Sequence, residues 1–384
     1  MKVNVAILFG GNSVEHEISI ISSIQAIENI DKQKYNVIPV YITKKLEMYS
    51  DSSFTSVDPF IDFDASKYKQ VTFVRDGEEV FVRQIKGLFN KLEERVDVVL
   101  PIVHGTGVED GTLQGYLKMF DLPIAGPTVL SGAIGQDKAV MKDILKANDV
   151  SQTEYLWITS ANSNEQNIEL VEAKLSYPVI IKPASLGSSV GIEFCNDRTE
   201  LDNALTSGFG YDHKIVVEEA LSDFEEYNIS VFGTFDDFRL SAIEKVIKAE
   251  EFLSYEQKYV AGSKKTGGKS SGMASLSREV PANISADVKQ EIERLATASY
   301  KALCCNGVVR FDVLIGSDKT IYINEVNNVP GSLSYYLWEA TGVPYEQMLT
   351  NFIEQAVSKY YKDQKLVHSF DTNVLKLQGG GNKC

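Results

Sequence analysis

Residues 3–11 read VNVAILFGG, in which an apolar run at 5–9 ends at two glycines. Apolar runs of the same character occupy 35–42 and 96–103, and a helix-like stretch from about 13 to 30 follows the first. Apolar strands that alternate with helices predict an α/β domain with a Rossmann-like parallel sheet. Because ligands bind beyond the carboxyl ends of such strands, Gly10-Gly11 and His104-Gly105 are candidate binding positions.

The 384 residues are too many for one hydrophobic core and suit two or three packed units. Gly126-Pro127 predicts a turn at a first domain boundary. A second boundary follows the apolar run at 214–217. We expect an N-terminal substrate domain at 1–125, a central domain at 126–217 and a C-terminal domain at 218–384. The central domain should contain a helix at about 128–148, and residues 379–384 should form a flexible tail.

The formal net charge of −15 argues against a nucleic-acid-binding protein, because such a protein needs a basic face. The sequence has no apolar run of about 18 residues, which predicts no membrane span. The apolar run near its N-terminus is shorter than that of a signal peptide, and no small-residue cleavage site is present. We therefore expect a cytoplasmic protein whose partners are small molecules.

Residues 182–191 read KPASLGSSVG and follow an apolar strand at 177–182. Small residues let backbone N–H groups approach phosphate oxygens, and Lys182 supplies a positive charge. This pattern favours a phosphate-binding loop, although an ordinary strand followed by a Gly/Ser hairpin would look similar.

Two strands in the last third of the sequence, at 308–315 and 321–325, are joined by a short turn. Arg310 and Asp312 should share one face of their strand, and antiparallel pairing would bring Asp312 close to Glu325 and Asn327. Such an oxygen cluster suits Mg²⁺ bound together with nucleotide phosphates. Cross-strand charged pairs on a solvated face are the alternative.

Other candidates are weaker when taken alone. Glu15 could bind a substrate ammonium, but acidic residues near a helix N-terminus are also favoured by the helix dipole. The run at 216–221 ends in two acids, and backbone groups there could bind adenine with Glu226 on the ribose. His104 could be catalytic or structural. A polar stretch at 262–272 could be either a lid or a linker.

Taken in order, these motifs resemble the D-alanine–D-alanine ligase family of the ATP-grasp superfamily. The resemblance covers nearly the whole chain. The motifs that carry it are FGGNSVEHE at 9–17, HG at 104–105, EDGTLQG at 109–115, DK at 137–138, KP at 182–183, GSSVG at 187–191, YEQKY at 255–259, RFD at 310–312 and NEVNNVPG at 324–331.

The resemblance implies a three-domain ATP-grasp architecture, a D-alanine–D-alanine ligase activity that makes a peptidoglycan precursor, and ATP held between the second and third domains. It also implies two Mg²⁺ ions, with Mn²⁺ as an alternative, and a homodimer. ATP would be bound by Lys138, Lys182, Ser189, Glu218, Glu219, Leu221, Glu226 and Lys258, and the metal ions by Asp312, Glu325 and Asn327. Catalysis and substrate binding would involve Glu15, Ser188, Tyr259, Arg310, Gly331, His104, Tyr335 and Tyr336.

One departure from the family pattern lies between Gly331 and a helix that starts near residue 337. Family members carry a loop about four residues longer, with a serine that holds the carboxylate of the second substrate. Here Tyr335 and Tyr336 occupy the segment, and a phenol hydroxyl could replace that serine, or the two tyrosines could simply pack. D-Lactate, D-serine or another amino acid is therefore an alternative acceptor. A nucleotide-binding regulatory protein without catalysis is a further alternative.

Overall fold

The computed structural model describes residues 2–86, 93–221, 223–247, 278–367, 369–372 and 374, in which the strands form three sheets. Strands β1–β7 form the first sheet, β8–β11 the second and β12–β16 the third. Their bounds are β1 Val3–Gly10, β2 Tyr35–Ile42, β3 Met48–Ser50, β4 Lys69–Asp76, β5 Glu79–Gln84, β6 Glu93–Val96, β7 Val98–Pro101, β8 Tyr155–Thr159, β9 Val179–Pro183, β10 Glu193–Cys195, β11 Lys214–Glu219, β12 Phe224–Gly233, β13 Phe238–Val246, β14 Arg278–Glu279, β15 Gly307–Gly316 and β16 Ile321–Asn327.

The helices cover the sheets and connect them. Short 3₁₀ turns also occur at Ala65–Lys67 and Gly331–Ser334. The α-helices are α1 His16–Asn29, α2 Asp58–Ile61, α3 Thr112–Lys118, α4 Val129–Gln136, α5 Lys138–Ala147, α6 Asn164–Glu172, α7 Arg198–Gly208, α8 Ala286–Ala302, α9 Tyr335–Glu339 and α10 Tyr345–Asp363.

The first sheet is only partly parallel. Strand β1 pairs in parallel with β2 and β7, as the sequence predicts, but β3 to β6 extend the same sheet with antiparallel pairs. The reason is the short connection after β2, in which Thr43 N–H donates to Glu47 O at 2.9 Å. A link this short can make only a hairpin, because a parallel neighbour needs a long crossover.

Helices bury both faces of strand β1. Ile7 and Phe9 lie in a core with Ile24 of α1 and Phe352 of α10, while Leu8 packs toward α3 on the other face. The last long helix, α10, therefore packs on the N-terminal sheet although it lies near the C-terminal end of the described chain. This packing brings the segment before it, which includes Gly331, next to α1.

The predicted helix at 128–148 consists of two helices, α4 and α5, that meet at Asp137. The backbone of Asp137 is extended (φ −90°, ψ 102°), and its carboxylate accepts hydrogen bonds from the N–H groups of Ala139 and Val140. Asp137 is thus the N-cap of α5. The break directs Lys138, at the start of α5, toward the loop that follows β9.

The third sheet is antiparallel and has one buried face and one polar face. Val309, Phe311 and Val313 of β15 pack on α8 in a buried core. The alternate residues Arg310 and Asp312 therefore lie on the opposite face, as predicted.

The fold is the predicted α/β, ATP-grasp architecture with a parallel-rich N-terminal sheet. The domain boundaries at 125 and 217 remain proposals, and β11 continues two residues past the second of them. Among the described residues, no helix combines the length and apolar character needed to cross a bilayer.

Candidate active site

A cavity of about 490 Å³ opens between the second and third sheets. Its apolar walls come from residues such as Ile180, Phe194 and Leu314, and its polar end lies at Asp312 and Glu325. A cavity lined by both apolar and charged side chains suits a nucleotide, whose base can contact the apolar residues and whose phosphates can contact the charged ones. Eight of the predicted site residues line the cavity: Lys182, Ser189, Glu218, Glu219, Leu221, Glu226, Asp312 and Glu325.

Glu218 lies at the base of the cavity and holds two lysines. Its Oε1 is 2.8 Å from Lys182 Nζ and its Oε2 is 3.0 Å from Lys142 Nζ, and Thr153 donates to Oε2 at 2.6 Å. Burial alone would raise the pKa of Glu218, but the two lysines outweigh it and lower the pKa to about 2. The ionised carboxylate fixes Lys182 in place, and Lys182 also donates to Asn324 Oδ1 at 2.9 Å.

Lys138 joins the loop after β9 to the third sheet. Its Nζ donates to the carbonyl oxygen of Leu186 at 2.6 Å and lies 3.0 Å from Glu325 Oε1. Burial lowers the pKa of Lys138, but Glu325 outweighs that effect and the net shift is upward. A charged lysine is therefore held where the cavity reaches the predicted metal ligands.

Arg310, Asp312, Glu325 and Asn327 lie together on the polar face of the third sheet. Arg310 makes two hydrogen bonds to the Asp312 carboxylate, at 2.6 and 2.9 Å. Asp312 lies opposite Glu325, and Arg310 lies opposite Asn327, in the β15–β16 register. The expectation that the hairpin brings these side chains together is confirmed. Among the described residues no three His, Cys, Asp or Glu side chains cluster as metal ligands, so a metal ion here would use two carboxylates and an amide.

Glu15 meets the loop after β9 from the other side. The Ser188 hydroxyl donates to Glu15 Oε1. Glu15 is the N-cap residue of α1, but its side chain makes no capping hydrogen bond to the helix. A Cβ added at Gly187 would lie 2.8 Å from Glu15 Oε2, so the glycine leaves room for the Glu15 carboxylate in this position. In the described part of the chain no donor reaches Oε2, which leaves an acceptor for a substrate ammonium.

His104 is buried, and both of its ring nitrogens have partners in the fold. Nδ1 is 2.7 Å from Val329 O and Nε2 is 3.3 Å from Ser22 Oγ. Burial lowers the pKa of His104, which favours the neutral ring. In this arrangement His104 holds the segment that leads to Gly331, and its predicted contact with substrate remains a prediction.

Tyr335 and Tyr336, expected in the shortened loop before a helix near residue 337, are instead the first two residues of α9, and they have different environments. Tyr336 donates its hydroxyl hydrogen to Glu244 Oε2 at 2.7 Å, and the Arg278 guanidinium lies 4.1 Å from the centre of its ring. Tyr335 instead stacks on Tyr345, with ring centroids 4.6 Å apart. Since a phenol has one hydrogen to donate, Tyr336 can bind a carboxylate as a donor only by releasing Glu244.

Several contributors to this site were not anticipated from the sequence. Lys142 could have been found, because it lies four residues after Lys138 on one helix and so shares its face. Asn228 and Arg278 meet Glu244, the partner of Tyr336, through strand register, which the sequence does not specify. Tyr255, Lys258, Tyr259 and the polar stretch at 262–272 lie outside the described residues.

Comparison with known proteins places this arrangement in a family. The model for the D-ala D-ala ligase N-terminus matches residues 4–127, and that for the C-terminus matches residues 144–354. A D-alanine–D-alanine ligase from Thermosipho melanesiensis is 35% identical over 98% of this chain and 99% of its own.

Solved structures agree with this match. The D-alanine–D-alanine ligase from Coxiella burnetii superposes with a TM-score of 0.80 at 24% identity, over 98% of this chain and 99% of its own. The VanG D-Ala:D-Ser ligase from Enterococcus faecalis gives a TM-score of 0.76 at 28% identity, over 93% of this chain and all of its own. The chain belongs to the D-alanine–D-alanine ligase family.

Proposed function

We propose that this chain is an ATP-dependent D-alanine–D-alanine ligase that forms a C–N bond between two D-alanine molecules and releases ADP and phosphate. The observation that carries the proposal is that the loop after β9 is bonded to Glu15 through Ser188 and to Glu325 through Lys138, beside a cavity that Ser189, Asp312 and Glu325 line. The dipeptide would serve as a peptidoglycan precursor.

ATP would occupy the cavity between the second and third sheets. Its base would lie against the apolar side chains of Leu221 and Leu314, with Glu226 near the ribose. Lys138 and Lys182 would bind phosphate oxygens, and each already lies beside a carboxylate that fixes its position. Binding would therefore require little reorganisation of these two cations.

Asp312, Glu325 and Asn327 would hold Mg²⁺, or Mn²⁺ in its place. Their donors are all oxygens, and a set of only three side chains suits an ion that keeps waters and phosphate oxygens in its shell. The opposed register of Asp312 and Glu325 supports this fit. Bound Mg²⁺ would neutralise charge on the phosphate oxygens during transfer.

The first D-alanine would bind at Glu15, with its ammonium on Oε2 and its carboxylate toward the phosphates. Ser188 would orient the Glu15 carboxylate through their hydrogen bond. A carboxylate oxygen of D-alanine then attacks the γ-phosphorus, the bond to the bridging oxygen breaks, and ADP leaves. The product is an acyl phosphate on the first D-alanine.

The second step joins the amine of the acceptor to the acyl carbon. The attack develops negative charge on the acyl oxygen, which the Arg310 guanidinium and the Gly331 N–H would stabilise. The intermediate then collapses, phosphate leaves, and the amine loses its extra proton. Tyr259 and Lys258 would contribute as the family resemblance implies.

A D-alanine–D-X ligase, with D-lactate, D-serine or another amino acid as the acceptor, is the second candidate function. Residues Ser332, Leu333 and Ser334 make a tight left-handed turn with φ of 51° to 53°, which runs directly into α9. This turn replaces the longer serine-bearing loop. The short segment between Gly331 and α9 is the observation that favours an acceptor other than D-alanine.

We expect Tyr336→Phe to raise the KM for the acceptor about two- to tenfold. The change removes the hydrogen bond from the Tyr336 hydroxyl to Glu244, and the contact between Glu244 and Arg278 then shifts. The KM for the first D-alanine should change little. Tyr335→Phe should have a smaller effect, because its ring is stacked on Tyr345. Steady-state kinetics at varied acceptor concentration measures this, with Tyr361→Phe on the exposed face of α10 as a control. An unchanged acceptor KM in both variants would show that the two hydroxyls do not set specificity.

The proposed function is tested by ADP release in the presence of ATP, Mg²⁺ and D-alanine, with D-serine, D-lactate and other D-amino acids offered as acceptors. A ligase releases ADP in proportion to dipeptide. A D-X ligase releases more ADP with a different acceptor than with D-alanine alone. A regulatory nucleotide-binding protein binds ATP without releasing ADP.

Location and assembly are part of the proposal. A cytoplasmic enzyme has access to ATP, and the acidic chain has no requirement for nucleic acid or membrane. A homodimer follows from the family resemblance alone. Light scattering of the purified chain would distinguish it from a monomer.

A further inference from the structure

The carboxylate of Glu109 is buried between two backbone segments that are far apart in sequence. Its Oε2 accepts the N–H of Gly105 and its Oε1 accepts the N–H of Val329, both at 2.8 Å. The side chain is only 7% exposed. Glu109 therefore links the loop after β7 to the segment that leaves β16.

The carbonyl group of the same residue, Val329, is bound by His104. The carbonyl oxygen of Val329 can only accept, so His104 Nδ1 carries the hydrogen in their 2.7 Å contact. Three residues later, the N–H of Ser332 donates to Ser22 Oγ at 2.9 Å. Gly331 thus lies between two backbone positions that are each tied to the N-terminal domain.

The tied segment has a backbone that L-residues disfavour. Ser332, Leu333 and Ser334 all have positive φ, a conformation in which Cβ crowds the following carbonyl oxygen. Ser332 also donates its hydroxyl hydrogen to Gln25 Oε1 at 2.6 Å. Surrounding contacts are needed to keep such a turn in one conformation, and Glu109, His104, Ser22 and Gln25 supply them.

We propose that Glu109 is a positioning residue: by binding the Val329 N–H, it fixes the direction of the Gly331 N–H toward the reacting acyl oxygen. The inference rests on the proposed function. Under this proposal, Glu109 of the first domain contributes to catalysis by positioning Gly331 of the third domain. Misdirection of a donor by about 1 Å can cost about a hundredfold in rate.

A structural link and a positioning residue predict different results. Loss of a structural link lowers the thermal midpoint, or weakens ATP binding and turnover together. Loss of a positioning contact lowers kcat while the KM for ATP stays near its original value, because the ATP cavity is built from other residues.

The test is Glu109→Gln, compared with Asp110→Asn. Glutamine keeps the shape of the side chain but can accept only one of the two N–H groups, so the other loses its partner. Asp110 is a matched control because, among the described residues, its carboxylate accepts only from the N–H groups of Gly107 and Thr112, which are close to it in sequence. We expect kcat of Glu109→Gln to fall about ten- to a hundredfold, with the KM for ATP within about twofold and with Asp110→Asn near wild type.

Ser22→Ala provides a second route to the same segment, since it removes the acceptor of the Ser332 N–H without touching Glu109. Ser22→Ala should also lower kcat more than it changes the KM for ATP. If Glu109→Gln fails to fold, the kinetics of Ser22→Ala test the inference instead. Equal kcat in Glu109→Gln and Asp110→Asn would overturn the inference. A lower thermal midpoint of Glu109→Gln with no change in kcat would also overturn it. Absence of dipeptide with the wild-type chain would instead overturn the proposed function, and the inference with it.

Discussion

Replacement of Arg310 by alanine should lower kcat about a hundredfold to a thousandfold, which is the usual cost of removing one oxyanion donor. The guanidinium is held by two hydrogen bonds to Asp312 and lies opposite Asn327 across the β-hairpin. It is therefore oriented before substrate arrives. Since the proposed ATP site consists mainly of the cavity and the two lysines, the KM for ATP should change little.

Steady-state kinetics with varied ATP and D-alanine measures the Arg310 effect. Arg239→Ala, an exposed residue of strand β13 in the same sheet, is the matched control and should keep its kcat. Arg310→Lys should recover only part of the rate, because an ammonium cannot reproduce the two-pronged contact with Asp312. A variant that keeps its rate and loses only nucleotide affinity would place Arg310 on ATP rather than on the acyl oxygen.

Glu325→Gln and Asp312→Asn should each remove most activity, roughly a hundredfold or more, with the fold intact. Each change removes a negative oxygen ligand from the predicted metal site. The two variants differ in their second effect, because Glu325→Gln frees Lys138 and Asp312→Asn loosens Arg310. Raising Mg²⁺ should therefore rescue Glu325→Gln better than Asp312→Asn.

Activity over a range of Mg²⁺ concentrations, with circular dichroism as a check on folding, measures these effects. Asp318→Asn in the β15–β16 turn is the control for Asp312, and Glu225→Gln on β12 is the control for Glu325. Both control carboxylates are bound by residues outside the cavity. Near-normal turnover of both site variants at saturating Mg²⁺ would contradict the metal assignment.

The sequence predicts the local elements of this fold well where the pattern is strong. The run at 35–42 is strand β2 to the residue, and the hairpin of β15 and β16 lies where alternation placed it. The antiparallel half of the first sheet was missed because its strands are short or partly exposed. The break at Asp137 was missed because its capping role depends on an extended backbone at that residue.

Some residues of the candidate site could likewise be predicted from the sequence, and others could not. Motifs specify residues such as Lys182 and Asp312, whose roles follow from their neighbours in sequence and from the family resemblance. The partners of these residues come from other strands or domains. Glu109 meets Val329 across 220 residues, and Tyr336 meets Glu244 across 92. Such pairs depend on how the sheets are packed, which a single sequence does not encode in any local pattern.

The central claim is a ligase reaction through an acyl phosphate, and oxygen transfer tests it most directly. D-Alanine labelled with ¹⁸O in its carboxylate is incubated with the chain, ATP and Mg²⁺, and the released phosphate and dipeptide are analysed by mass spectrometry. We expect one labelled oxygen in each phosphate, together with one D-alanyl-D-alanine per ADP. ADP release with unlabelled phosphate, or without dipeptide, would contradict the proposed reaction.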